Sequence, residues 1–263
     1  MNLRFGSILL ACVVGGGLAA APAGACDGLL VYAGAGFRLP LEEAAAEFSA
    51  REGVPVETTF AGSGCLLAQA ELAGHGDVFI PGERHYLVQA EERDLAGDAV
   101  CLAWLRPVLA VPAGNPLGLA GPADLARPGL RVGLGDPRSV AVGLASESWL
   151  AATLTEEERA AVQSNVVTRA LNVNELGTQL SLGALDVAIV WDVTVPLFSG
   201  LEAVVDDSSL AHRTMITGAA LRQSEWPDEA RRFLAFLSGP DGQSIFREYG
   251  YEPTAGCGES VAP

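Results

Sequence analysis

From residue 29 to residue 92 the chain alternates two hydrophobic rhythms. Leu29 to Ala33 is a short apolar run suited to a buried strand, and Pro40 then opens a helix-period stretch from Leu41 to Arg51. Val54 to Phe60 alternates with the strand period, Leu66 to Leu72 reads as helix, Asp77 to Ile80 as strand and His85 to Glu92 as helix. A βαβαβ order predicts a parallel sheet with helices on both faces. Val108 to Val111 is one more strand, closed by Pro112-Ala113-Gly114-Asn115-Pro116, and the pattern restarts. Pro122 to Ala126, Val142 to Leu154 and Glu175 to Leu182 read as helices, between strands at Arg131 to Leu134, Val166 to Ala170 and Val187 to Trp191. Met215 to Leu221 reads as a returning strand, with closing helices at Pro227 to Leu237 and Asp241 to Tyr249. Two α/β lobes joined by crossing strands account for this order, and hinge closure around a ligand is their common motion. The expected divisions are 26–112 for the first part of one lobe, 113–212 for the other, and 213–263 for the return.

Residues 1–25 stand apart. Arg4 precedes a nearly unbroken apolar or small run, and Ala23-Gly24-Ala25 has the small-x-small form of a cleavage site, so an export signal ending before Cys26 is expected. Two alternatives keep a membrane tether: a retained anchor, or lipidation at Leu9-Leu10-Ala11-Cys12 or Cys26. No other stretch is long and apolar enough to span a bilayer.

Charge narrows the partners. The chain has no lysine and a formal charge of −16, which becomes −17 if residues 1–25, with Arg4 and no acid, are removed. Nucleic acid and anionic membranes require a basic footprint, so neither is expected as a partner. An anionic ligand would have to be held by local dipoles. Cys26, Cys65, Cys101 and Cys257 permit two disulfides in an exported chain, in three connectivities. Cys26 with Cys257 is the first choice, because chain ends often lie close. Cys65 either bridges, with Cys101 as a partner, or stays a thiol at a helix N-terminus. With no CxxC, and with His75, His85 and His212 on no ligand pattern, no metal or cofactor is expected.

The candidate chemistry lies in three Gly-rich turns between strand and helix: Ala33-Gly34-Ala35-Gly36-Phe37, Ala61-Gly62-Ser63-Gly64-Cys65, and Gly135-Asp136-Pro137 running to Val142-Gly143. Open α/β sheets bind ligands at such turns. Helix N-termini expose unpaired N–H groups and a partial positive charge, so a small anion can bind there without a formal cation. A Gly-Ser-Gly before a helix is otherwise only a turn and a cap.

Val31-Tyr32-Ala33-Gly34-Ala35, Phe60-Ala61-Gly62-Ser63-Gly64, Gly76-Asp77-Val78-Phe79-Ile80, Gly135-Asp136-Pro137 through Gly143, and Asp186-Val187-Ala188-Ile189-Val190-Trp191 occur in an order that resembles the periplasmic molybdate/tungstate-binding proteins of ABC importers. The resemblance runs from about residue 29 to about residue 253. It implies a type II-like periplasmic binding protein fold, a tetrahedral oxyanion as ligand and a transporter permease as partner, in a monomer with no catalytic residue. By resemblance, Ala35 and Gly36 offer amides, Ser63 its hydroxyl and N–H with Gly64 beside it, and Val142 an N–H from the opposite lobe. Asn174 lies on another ligand-facing segment, and Trp191 stands where the family often has Tyr. Four positions depart from the pattern: Gly36 replaces a usual Ser, Ala141 a usual Pro, Trp191 a Tyr, and Asp192 follows directly. A carboxylate at the pocket would repel a dianion or accept a proton from phosphate or arsenate.

Rival readings attach to single residues. Arg38 either clamps the anion or pairs with Glu42, and Arg138 has Asp136 as an internal partner. Glu156-Glu157-Glu158 reads as a solvated helix start capped by Thr155, or as part of a transporter-docking face. A sensory module with the same lobes is the nearest alternative function. An exported hydrolase is the furthest, since Gly62-Ser63-Gly64 lacks the outer spacing of a nucleophile elbow.

Overall fold

The structure, a computed structural model, describes residues 28–254. The expected export signal and Cys12, Cys26 and Cys257 lie outside the described residues. The first lobe begins with β1 (Leu29–Gly34), a 3-10 turn (Ala35–Phe37), α1 (Arg38–Glu52), β2 (Val56–Ala61), α2 (Ser63–Ala73), β3 (Val78–Ile80), α3 (Arg84–Glu92) and β4 (Ala96–Leu105). The second contains β5 (Pro107–Pro112), a 3-10 turn (Pro122–Ala126), β6 (Val132–Gly135), α4 (Ala141–Thr153), α5 (Glu156–Asn165), β7 (Val166–Ala170), α6 (Val173–Ser181) and β8 (Val187–Trp191). A 3-10 segment (Asp192–Leu197), β9 (Leu201–Val204) and α7 (Asp207–Ala211) complete it. The chain returns through β10 (Thr214–Leu221), α8 (Pro227–Ser238), α9 (Pro240–Glu248) and β11 (Glu252–Pro253).

Two mixed sheets result, ordered β11-β4-β10-β3-β1-β2 and β7-β6-β8-β5-β9. The parallel βαβ units are present: β1 lies between β2 and β3, and β6 between β7 and β8. The rest is antiparallel, since β10 runs against β3 and β4, and β5 against β8 and β9. One expected division moves. Val108 to Val111 was expected in the first lobe, but β5 pairs only within the second sheet, so the crossing is at Arg106 rather than after residue 112. Beyond residue 212 the chain re-enters the first sheet through β10.

Local sequence explains where the elements stop. Gly53 and Gly74 end α1 and α2 with φ of 71° and 64°, a left-handed cap that glycine adopts without strain. Thr155 and Glu158 form a reciprocal capping box at α5, which gives the acidic run its structural role. In the first lobe Phe48 packs edge-on to Phe233 at 5.1 Å, and in the second Trp149 is fully buried with its indole N–H donating to Ser208 Oγ at 2.8 Å.

Cys101 is disulfide-bonded and Cys65 is a free, exposed thiol. A Cys65–Cys101 bridge is thereby overturned. Among the described residues no helix is long and apolar enough to cross a membrane.

Candidate functional site

The turns after β1, β2, β6 and β7, together with the last residue of β8, converge where the lobes meet. They enclose a cavity of about 20 Å³, walled by residues 34–37, 61–63, 82, 140–141, 172–173 and 191. No charged side chain is in this wall. The volume exceeds the roughly 10–15 Å³ that one water requires and is far below the roughly 300–1,000 Å³ of organic-ligand pockets. Such a space suits a compact ion of a few atoms.

Helix capping differs between α2 and α4, which begin at this site, and most of the other helices; α1, preceded by the 3-10 turn, has no side-chain cap at Phe37 either. In α3, α5, α6 and α7 a side chain accepts from a first-turn amide, the caps being Glu83, Thr155, Asn172 and Asp206. α8 and α9 begin at Pro227 and Pro240, which have no N–H. α2 and α4 have neither device: their caps are Gly62 and Val140, without a side-chain bond. Among the described residues the N–H groups of Ser63, Ala141 and Val142 meet no acceptor. Two helices of 11 and 13 residues, one from each lobe, therefore bring unspent N–H groups and positive dipole ends to the cavity. The glycine before α2 and the valine before α4 are what leave those ends uncapped.

The first turn is held by its carbonyls. Asn174 Nδ2 donates to Ala35 O at 3.1 Å, and the Tyr251 hydroxyl donates to Gly36 O at 2.6 Å. Because each peptide is planar, these bonds also fix the N–H groups of Gly36 and Phe37 on the opposite edges. Tyr251 is buried, and that burial, then the nearby Asp192 charge, raises its pKa, so it is a protonated donor. Ser63 is also buried, and its Oγ accepts from Gly82 N–H at 3.0 Å, which leaves its own proton to donate.

Three hydrogen bonds tie the lobes together around the cavity: Asn174 to Ala35 O, Gly64 N–H to Ser139 O at 3.1 Å, and the Tyr86 hydroxyl to Pro137 O at 3.0 Å. Burial, followed by the charges of Glu83, Asp136 and Cys65, pushes the Tyr86 hydroxyl up to about 12, so it too stays a donor. Glycines permit this approach. A Cβ at Gly62 would lie 2.5 Å from both Leu171 O and Ser139 O, and one at Gly82 would lie 2.9 Å from Ala141 Cβ.

Ala35, Gly36, Ser63 and Trp191 are brought together in the wall. Gly64 is not, because its N–H is committed to Ser139 O across the cleft. Val142 is buried and is not in the wall, whereas Val140 and Ala141 are. Asn174 braces the first turn while its neighbour Asn172 lines the cavity. Asp192 corrects a larger expectation. Its carboxylate faces the lobe crossing, accepting from the N–H groups of Arg106 at 3.3 Å and Val193 at 3.0 Å, with Arg106 Nε at 3.5 Å. Burial raises its pKa, and those N–H groups and the Arg106 charge oppose the rise. Arg38 lies 3.1 Å from Glu42 in an exposed pair worth ~0–1 kcal/mol, and Arg138 pairs with Asp136 at 3.0 Å. Gly82 and Tyr251 had no signal in the sequence pattern, since both act through contacts distant along the chain.

A family model described as bacterial extracellular solute-binding protein matches residues 29–252. The molybdate-binding protein ModA of Mycobacterium tuberculosis is 28% identical over 247 residues, which cover 89% of this chain and 88% of the relative. The solved periplasmic molybdate-binding protein of Azotobacter vinelandii superposes with a TM-score of 0.71 at 21% identity, covering 86% of this chain and 99% of its own. The sulfate-binding protein SubI of Mycobacterium tuberculosis superposes with a TM-score of 0.76 at 17% identity, covering 87% and 88%.

Proposed function

The chain belongs to the bacterial extracellular solute-binding proteins, and on that premise we propose that it captures a fully deprotonated tetrahedral oxyanion, molybdate or tungstate first, for the permease of an ABC importer outside the cytoplasm. One observation carries the reading: a cavity of about 20 Å³ with no charged side chain in its wall, faced by the uncapped N-termini of α2 and α4. Those N–H groups, the amides of Ala35 and Gly36, and the Ser63 hydroxyl supply donors to an anion on several sides. The lack of a carboxylate in the wall disfavours hydrogen phosphate and arsenate, whose buried hydroxyl would have no acid oxygen to donate to. The relation to ModA supports molybdate. Sulfate is the second reading, because the similarity to SubI extends over most of both chains. Binding rather than turnover fits Ser63, whose Oγ is bonded to a backbone N–H with no histidine or carboxylate beside it to act as base.

Calorimetry with molybdate, tungstate, sulfate, phosphate and arsenate tests this directly. Molybdate or tungstate is expected to bind most tightly, with phosphate and arsenate weakest. A ligand at 100 times its Kd stabilises the bound form by ~2.7 kcal/mol, so the melting temperature should rise by a few degrees. A protein whose melting none of the five anions changes would refute the proposal.

Tyr251→Phe isolates the support of the first turn. It removes the 2.6 Å bond to Gly36 O while keeping the ring against Phe37 and Phe246. One buried hydrogen bond contributes about 0.5–1.5 kcal/mol, so molybdate affinity should fall roughly 2–12-fold. Unchanged calorimetric affinity would show that the Gly36–Phe37 peptide needs no such brace.

A further inference from the structure

We infer that Arg106 and Asp192 form a clasp at the hinge that holds the free protein open, so that closure around a ligand has to stretch it. Arg106 is the one residue between β4 of the first sheet and β5 of the second, so the peptide joining Leu105 to Arg106 also joins the lobes. Pro107 follows and restricts Arg106 to extended backbone, which leaves little of the swing to be taken up beyond that peptide. The ladder between β5 and β8 ends at the pair Pro107 and Trp191. One step further, the Asp192 N–H donates to Arg106 O at 2.9 Å and fixes the second-lobe side of Arg106. On the other side the Arg106 N–H, which belongs to the joining peptide, donates to Asp192 Oδ1 in place of a backbone oxygen. That bond is 3.3 Å long and Arg106 Nε stands 3.5 Å from Oδ2, whereas a guanidinium settles on a carboxylate at roughly 2.7–2.9 Å. Among the described residues Arg106 Nε makes no hydrogen bond and is sealed from solvent. Both contacts are loose in an arrangement where three hydrogen bonds hold the cleft closed. They lie on the side of the peptide that turns when the lobes part, so opening lets them shorten and gives a buried donor the partner it lacks. Asp192 thus acts on the ligand through the position of the lobes, without touching it.

The test combines amide NMR without anion and calorimetry with molybdate, on the wild type and on the Asp192→Asn and Arg106→Met variants. The Gly64 N–H meets Ser139 O only across the closed cleft, at 3.1 Å. Its proton should therefore move downfield in both anion-free variants as the closed share rises. A free protein that is closed more often binds more tightly in proportion, and the release of one bond corresponds to roughly 2–12-fold in molybdate affinity. A clasp that only supported the fold would lower the melting temperature and weaken binding instead. The two residues share one contact, so the double variant should gain no more than the better single variant. A Gly64 proton that stays at its wild-type position, or an affinity that is unchanged or lower, overturns the inference and leaves the oxyanion reading in place. Gains that add in the double variant overturn the clasp as a pair. A wild type that binds none of the five anions overturns the oxyanion reading, on which the affinity measurement rests, and the anion-free Gly64 proton then decides the inference alone.

Discussion

Gly62→Ala is expected to abolish tight oxyanion binding while leaving the protein folded. The backbone at Gly62 has φ −67° and ψ 142°, a conformation open to alanine, so the first lobe accommodates the change. The obstacle lies across the cleft, where the new Cβ would sit 2.5 Å from Leu171 O and from Ser139 O. Both are main-chain oxygens of the second lobe and cannot rotate aside as a side-chain tip would. The lobes must separate to relieve the overlap, which breaks the bonds from Asn174, Gly64 and Tyr86. Three such bonds at about 1 kcal/mol each amount to about 3 kcal/mol, or about two orders of magnitude in affinity. Melting in the absence of anion should change little, since alanine at the cap is offset in part by a less flexible unfolded chain. Small-angle scattering should show compaction with molybdate in the wild type and none in the variant. A Gly62→Ala protein that binds and compacts normally would show that closure does not bring these backbones together.

The parts of the fold legible in the sequence are those written in local periodicity. β8 has the expected bounds because Val187 to Trp191 is a short apolar run between Asp186 and Asp192, and β7 has them too, through the β-branched run Val166-Val167-Thr168. β4 was missed for the opposite reason. Its apolar half is separated from β5 only by Arg106, only the second of the two strands was read from the pattern, and partner choice is not local information. In the site, the Gly-Ser-Gly turn was visible because glycine and serine are the residues that close approach and donation require. The open N–H groups of Ala141 and Val142 have no side-chain signature, and the sequence shows them only as the lack of a capping residue at Val140. Asp192 was misplaced because its partner at the lobe crossing, Arg106, is distant along the chain. Asp192 opens the 3-10 segment just beyond β8, and its carboxylate is taken up by the N–H groups of Arg106 and Val193.

Ser63→Ala is the second change with a large expected effect, because Ser63 combines the two properties that the rest of the site divides. It opens a helix at its positive end, and it carries a buried hydroxyl at 2% exposure. With Oγ already accepting from Gly82 N–H, the hydroxyl proton has nowhere better to go than an anion in the cavity. A hydrogen bond to a charged group contributes about 1.5–3 kcal/mol, so the variant should bind molybdate roughly 10–150-fold more weakly. The change also strands the Gly82 N–H, which would lower the stability of the unliganded protein by a smaller amount of about 1 kcal/mol. The two effects are separable. Melting without anion reads the lost Gly82 bond, whereas the anion-induced rise in melting temperature reads the lost donor. Ser63→Thr, which keeps the hydroxyl, should recover binding to the extent that its extra methyl is accommodated beside Gly82. If Ser63→Ala lowered stability but left calorimetric affinity unchanged, Ser63 would be a structural partner of Gly82, and the backbone N–H groups of α2 and α4 would have to hold the anion without it.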